Sequence, residues 1–145
     1  MTPYPHHYKV ASTAGPEGDV VLSSNGLEPM RSAPPVEFDG PGNLWSPESL
    51  LVAALADCFV LTFRAIARAS KLPWVSLHCE IEGTLERDAG VSRFTVFDLD
   101  ARLGVPAGTD VEAARRAMHK AEQGCLISNS LSGRRQLTAS VDIVA

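Results

Sequence analysis

Cys58 lies inside the most apolar stretch of the chain, Leu50 to Phe63, where a thiol adds nothing to packing that an aliphatic side chain would not. Cys125 follows a helix-ending glycine in Gly124-Cys125-Leu126-Ile127-Ser128-Asn129. Two thiols far apart in sequence, each at a local landmark, suggest a pair that meets in space and does redox chemistry. The competing reading of Cys58 is a small buried hydrophobe, since free cysteine is among the most buried residue types. That of Cys125 is a residue packing after a helix end. Cys79 is read as structural, one of several inward-pointing strand residues with only His78 beside it, on the opposite face.

The elements that must carry these thiols can be read from periodicity. Short β-prone pieces at Tyr8 to Val10 and Asp19 to Leu22 flank the turn Gly15-Pro16-Glu17-Gly18 and predict an N-terminal hairpin. From Asn25 to Trp45 the chain is rich in Pro and Gly and reads as a long loop able to wall a pocket. Ser46-Pro47-Glu48 opens a helix: Ser46 caps it, Pro47 pre-sets φ, and Glu48 complements the dipole. The helix should run to about Ser70, with Leu51, Ala54, Leu55, Cys58, Leu61, Thr62 and Ala65 on one packed face. Pro73 ends it.

Alternation then predicts two strands, Val75 to Leu85 and Ser92 to Leu103, joined at Asp88-Ala89-Gly90. Thr109-Asp110-Val111-Glu112 reads as a capping box opening a second helix that stops at Gly124. Exposed amides in the turn after it are placed to lower the pKa of Cys125 or of a neighbour. A last strand carries Leu137, Ala139, Val141 and Ile143 on one face. The expected fold is α+β, an antiparallel sheet with a long hydrophobic central helix, in a single domain spanning residues 1–145.

Composition narrows the function. A formal net charge of -4 and no basic cluster argue against nucleic acid or an anionic membrane as partners. The first residues lack a charged n-region and an apolar h-region, and the apolar run is shorter than a bilayer span, so a cytoplasmic protein is expected. Three cysteines do not make a disulfide scaffold, and no C-x-x-C or H-x-x-x-H spacing favours a metal. No cofactor is expected.

Glu48 precedes Cys58 by ten residues. On one straight helix that is about 15 Å of rise, with the two side chains about 80° out of register, so they cannot touch within one chain. Two copies of the helix crossing antiparallel near the small residues Ala53 and Ala54 would bring Glu48 of one copy beside Cys58 of the other. A symmetric homodimer follows, conditional on the acid being functional.

Three segments carry a resemblance: Ser46-Pro47-Glu48-Ser49-Leu50-Leu51, Ala56-Asp57-Cys58-Phe59 and Ala121-Glu122-Gln123-Gly124-Cys125-Leu126-Ile127-Ser128. In order and spacing the chain resembles the OsmC/Ohr family of thiol peroxidases. The resemblance implies an intertwined homodimer with two active sites at its interface. It further implies that Cys58 attacks an organic hydroperoxide, that Cys125 resolves the resulting sulfenic acid to a disulfide, and that an external dithiol of the lipoyl type reopens it. An arginine held by the acid matching Glu48 would supply positive charge. Where the OsmC branch has arginine before Phe-acid-Gly, this chain reads Glu37-Phe38-Asp39-Gly40, and Arg31 in the same loop is the candidate replacement.

The first expectation is therefore a dithiol-dependent organic hydroperoxide reductase using Cys58, Cys125, Glu48 and Arg31. Its rival is a relative without peroxide turnover that binds a hydrophobic ligand or senses oxidants, motivated by Glu37 in place of the arginine. A third option, hydrolysis by a thiol, lacks a base: His78 points from the wrong strand face, and His119 has no acid partner in sequence.

Overall fold

The computed structural model describes residues 1–144, which build two compact units, Met1–Leu51 and the chain from Val52 onward. In the first, β1 (Ala11–Thr13), β2 (Val20–Ser23) and β3 (Met30–Ser32) form an antiparallel sheet in that order, with Thr13 opposite Val21 and Val21 opposite Arg31. The N-terminal hairpin forms, but its first strand starts at Ala11 rather than ending at Val10. Thr13 leads almost directly into the Gly15 to Gly18 turn, and pairing grows outward from that turn.

The segment Asn25 to Trp45 is not a bare loop. It contains β3 and a one-turn 3-10 helix at Val36–Phe38, elements of three residues each, too short to show a hydrophobic period. The turn after it depends on Gly40, where a Cβ would stand 1.6 Å from the Pro34 carbonyl oxygen. Ser46 and Ser49 cap the first long helix reciprocally: Ser49 N donates to Ser46 Oγ (3.1 Å) and Ser46 N to Ser49 Oγ (2.9 Å).

That helix, α1 (Pro47–Ser70), leads into the second unit. There β4 (Ser76–Asp88), β5 (Val91–Pro106) and β6 (Arg134–Val144) form a sheet in sequence order. β4 and β5 are an antiparallel hairpin, but β6 runs parallel to β5, with Val96 opposite Arg134 and Pro106 opposite Val144. This corrects the expectation of a wholly antiparallel sheet. After Pro106 the chain returns through α2 (Val111–Gly124) and α3 (Leu126–Asn129), and a helical crossover delivers the next strand in the same direction.

One face of this sheet carries Leu77, Cys79, Ile81, Phe97, Leu99, Ala101, Leu103, Leu137 and Ala139 in register and is covered by helix. The other carries Glu80, Glu82, Asp98 and Gln136 and is exposed. The buried stripe of α1 is Leu55, Phe59, Phe63 and Ala67, at a spacing of four. Val52 on the same helix meets Gly83 so closely that a Cβ there would lie 3.0 Å from it. Phe63 packs edge-on against Trp74 at 5.4 Å.

At 24 residues α1 is long and apolar enough to cross a membrane by length and composition. The apolar run alone did not show this, because the helix extends beyond it at both ends. The second helix is capped by Asp110, whose carboxylate accepts from Ala113 N at 3.1 Å, and not by Thr109 as the capping-box reading has it. Thr109 Oγ1 donates instead to the Pro106 carbonyl (2.7 Å), and Glu112 pairs with Arg115.

Candidate active site

The surface of α1 that holds Cys58 is not the packed one. Phe59 is fully buried, whereas Cys58 is half-buried, Asp57 is exposed and Leu61 is 49% exposed. The apolar residues of α1 wrap more than one face: the stripe through Leu55 and Phe59 serves the core, and the neighbouring one through Ala54, Cys58, Leu61 and Ala65 remains open. These residues, with Asp57, Thr62, Leu126 and Ile127, line a groove of about 470 Å³. A face apolar by sequence but uncovered by its own chain is what an association surface requires.

Cys125 is buried where α2 ends and α3 begins, and it serves both helices. Its N–H donates to the Glu122 carbonyl (3.4 Å), while its sulfur accepts from Ser128 N (3.5 Å). The turn it anchors faces Cys58, with Leu126 and Ile127 lining the same groove, and each thiol shifts the ionisation of the other. All three cysteines are free.

The electrostatics divide the pair. Burial opposes ionisation of Cys58, but hydrogen bonds from the Cys125 thiol, the Ile127 amide, the Thr62 hydroxyl and the Leu126 amide outweigh it and hold its pKa below the ordinary thiol value. Thr62 lies one helical turn on, with its oxygen 3.8 Å from the Cys58 sulfur. Cys125 is pushed up to about 11, by burial first and then by donating its proton toward Cys58 and by the charge there. The two thiols are thus shifted in opposite directions. Cys79 is pushed up to about 11 by burial, by Asp100 and by Cys125, as suits a structural thiol.

The turn amides expected to act on Cys125 or a neighbour act on both, Ser128 and Ile127 on Cys125 and Ile127 and Leu126 on Cys58. Thr62, Leu126 and Ile127 escaped the sequence reading, although the i, i+4 spacing of Cys58 and Thr62 is a signal for the first of them.

The other two candidates lie in the first unit. Glu48 is in the opening turn of α1 and lines an apolar cavity of about 590 Å³ together with Val20, Leu22, Pro34, Phe38 and Leu50. Its Oε1 is buried and has no hydrogen-bond partner among the described residues. Arg31 is on β3, with its side chain 67% exposed. Its guanidinium donates to Asp19, through Nε at 2.8 Å and also through Nη2. Arg31 therefore pairs with an acid other than Glu48. Asp19 was read only as a strand residue.

An α+β scaffold thus presents a half-buried thiol in an apolar groove, opposite a turn that carries a second, buried one. The chain belongs to the OsmC-like protein family, whose model matches residues 40–140. It is 32% identical to the uncharacterized protein YmaD of Bacillus subtilis over 95% of both chains. It is also 27% identical to an organic hydroperoxide resistance protein of Xanthomonas axonopodis pv. citri, over 90% of this chain and 89% of that one.

Among solved structures, an OsmC-like protein of Vibrio cholerae superposes with a TM-score of 0.81 at 18% identity, covering 97% of this chain and all of the other, and bears on the fold alone. An organic hydroperoxide resistance protein from Legionella pneumophila gives a TM-score of 0.75 at 25% identity, over 97% of this chain and 100% of its own.

Proposed function

We propose that this protein reduces organic hydroperoxides through the Cys58–Cys125 pair. The observation that carries the reading is the place of Cys58 in an apolar groove opposite the turn that carries Cys125, supported by the shift of its pKa below the ordinary thiol value. The Cys58 thiolate attacks the terminal oxygen of ROOH, the O–O bond breaks, and the alkoxide leaves as ROH after taking a proton. Cys58 becomes a sulfenic acid. The Cys125 sulfur then displaces its oxygen as water, forming a disulfide, and an external dithiol of the lipoyl type returns both thiols at the cost of its own oxidation. Apolar walls favour substrates with an organic tail.

The site is completed in a cytoplasmic homodimer, where the open stripe of α1 packs on a second copy and brings that copy's Glu48 toward Cys58. Arg31 supplies the cation. The names of the Xanthomonas and Legionella relatives support the chemistry.

A second reading is favoured by a specific observation: Arg31 is engaged by Asp19, and Glu48 Oε1 has no partner among the described residues, so the cation–acid pair that the resemblance implies is not formed within the N-terminal unit. In that reading the protein binds a hydrophobic ligand or senses oxidants without turnover. Rapid-mixing reaction of the reduced protein with cumene hydroperoxide separates the two. Loss of two thiols far faster than for free cysteine, followed by recovery with dihydrolipoamide, is expected of the peroxidase. A rate no greater than that of free cysteine refutes it in favour of the second reading.

A further inference from the structure

We propose that Glu122 and Arg135 form a positioning brace that holds the turn after α2 against Cys58, so that the reactivity of the Cys58 sulfur depends on an ion pair that does not touch it. Glu122 is on α2 and Arg135 on the helix-facing side of β6, opposite Phe97. One carboxylate oxygen, Glu122 Oε1, accepts from both Arg135 Nε (3.1 Å) and Ser128 Oγ (2.9 Å), and Ser128 is completely buried. Arg135 Nη1 donates onward to the carbonyls of Leu131 (3.2 Å) and Gly133 (3.1 Å). The segment is therefore tied at Ser128 through Glu122 and at Leu131 and Gly133 through Arg135. Gly133 is wedged as well: a Cβ there would stand 2.9 Å from the Phe97 ring and 3.0 Å from the Phe94 carbonyl.

A turn fixed at these points has little freedom to withdraw, and it carries Leu126 and Ile127, which line the same groove as Cys58 and with the Cys125 thiol favour its thiolate. Isolated surface ion pairs contribute little, because solvent screens them and long side chains lose entropy. This pair is different in kind, being 19% and 26% exposed and sharing its acceptor with a buried hydroxyl.

The other titratable groups around Cys58 are Asp57 on its own helix, lining the same groove, and Cys125 on the opposing turn. Behind Cys125 lies Cys79 on β4, with Asp100 of β5 acting on it. Of these, Cys125 touches the brace through the backbone, its sulfur accepting from Ser128 N and its N–H donating to the Glu122 carbonyl. Ser128→Ala loosens the brace at constant charge, whereas Arg135→Met also leaves the Glu122 carboxylate unpaired. The inference rests on the peroxidase reading only for its catalytic consequence; the acidity of Cys58 is measurable without any peroxide.

The test is the pH dependence of iodoacetamide alkylation at Cys58, followed by peptide mass in the full-length protein, with circular dichroism to establish folding. Arg135→Met should raise the midpoint by about one pH unit, equivalent to about tenfold less thiolate near neutrality. Arg135→Lys, which keeps a donor to Glu122, should restore part of the shift, and Ser128→Ala should reproduce part of it. Arg93→Met, which removes an exposed ion pair with Asp88, should leave the midpoint unchanged. An unchanged midpoint in folded Arg135→Met, or an equal shift in Arg93→Met, overturns the proposal. If Arg135→Met does not fold, Arg135→Lys and Ser128→Ala decide, and no shift in either overturns it. A shifted midpoint in a protein that forms no disulfide with hydroperoxide would refute the peroxidase reading while leaving the brace intact.

Discussion

Replacing Cys125 separates the two tasks assigned to it, donating a hydrogen bond to Cys58 and resolving its oxidised form. Four donors lower the Cys58 pKa against the opposing effect of burial, and the Cys125 thiol is the largest of them. A hydrogen bond to a charged acceptor contributes about 1.5–3 kcal/mol, and a thiol, being a weak donor, falls at or just below the bottom of that range. Taking about 1.4 kcal/mol gives about one pH unit. Cys125→Ala should therefore raise the alkylation midpoint of Cys58 by about one unit and slow its first reaction with hydroperoxide at neutral pH about tenfold, through loss of thiolate. Cys125→Ser keeps a hydroxyl donor and should shift the midpoint less. Both variants should stop at a sulfenic acid on Cys58 that dimedone traps, whereas the wild type proceeds to an intramolecular disulfide. The reasoning is refuted if Cys125→Ala leaves the midpoint of Cys58 in place, or if a Cys58 disulfide still forms within the Cys125→Ser chain.

Three further outcomes are expected. Arg31→Met should slow oxidation of Cys58 by cumene hydroperoxide without moving its alkylation midpoint; an unchanged rate removes Arg31 from the site and leaves it as the surface partner of Asp19. Because Cys125 and Cys79 are both pushed up to about 11, the folded state retains protons that the unfolded chain releases near pH 8.5–9, so stability should fall as pH rises from about 9 to 11. Urea unfolding of Cys79→Val across that range should show a shallower fall, and an identical slope refutes the assignment. Leu61→Glu places a charge in the uncovered stripe of α1 and should yield a folded monomer by light scattering; a wild-type protein that is already monomeric sinks the dimer.

Much of the site was legible in sequence because its chemistry is local. Cys58 stands out against an apolar run, Cys125 against a helix stop, and the start of α1 is written in Ser46-Pro47-Glu48. Alternation gave both strands of the long hairpin because each buries one face, and the 3.6-residue period gave both long helices. What periodicity misjudged was the side of α1 that packs. Its apolar residues wrap beyond a single stripe, so Leu55-Phe59-Phe63-Ala67 and Ala54-Cys58-Leu61-Ala65 are both plausible core faces, and only the sheet beneath selects the first. β3 escaped because three residues carry no period, and the parallel direction of β6 because a strand's orientation is set by the path of the crossover and leaves no mark on its own residues.

Sequence by itself determined the elements, their caps and the two candidate thiols, since these follow from side-chain spacing and from groups a few residues apart. Tertiary structure alone decided which thiol is acidic. That inequality arises from amides of α3 and from burial. Hydrogen bonds act over a few ångströms of space, so packing had to bring these groups together before either sulfur acquired its character.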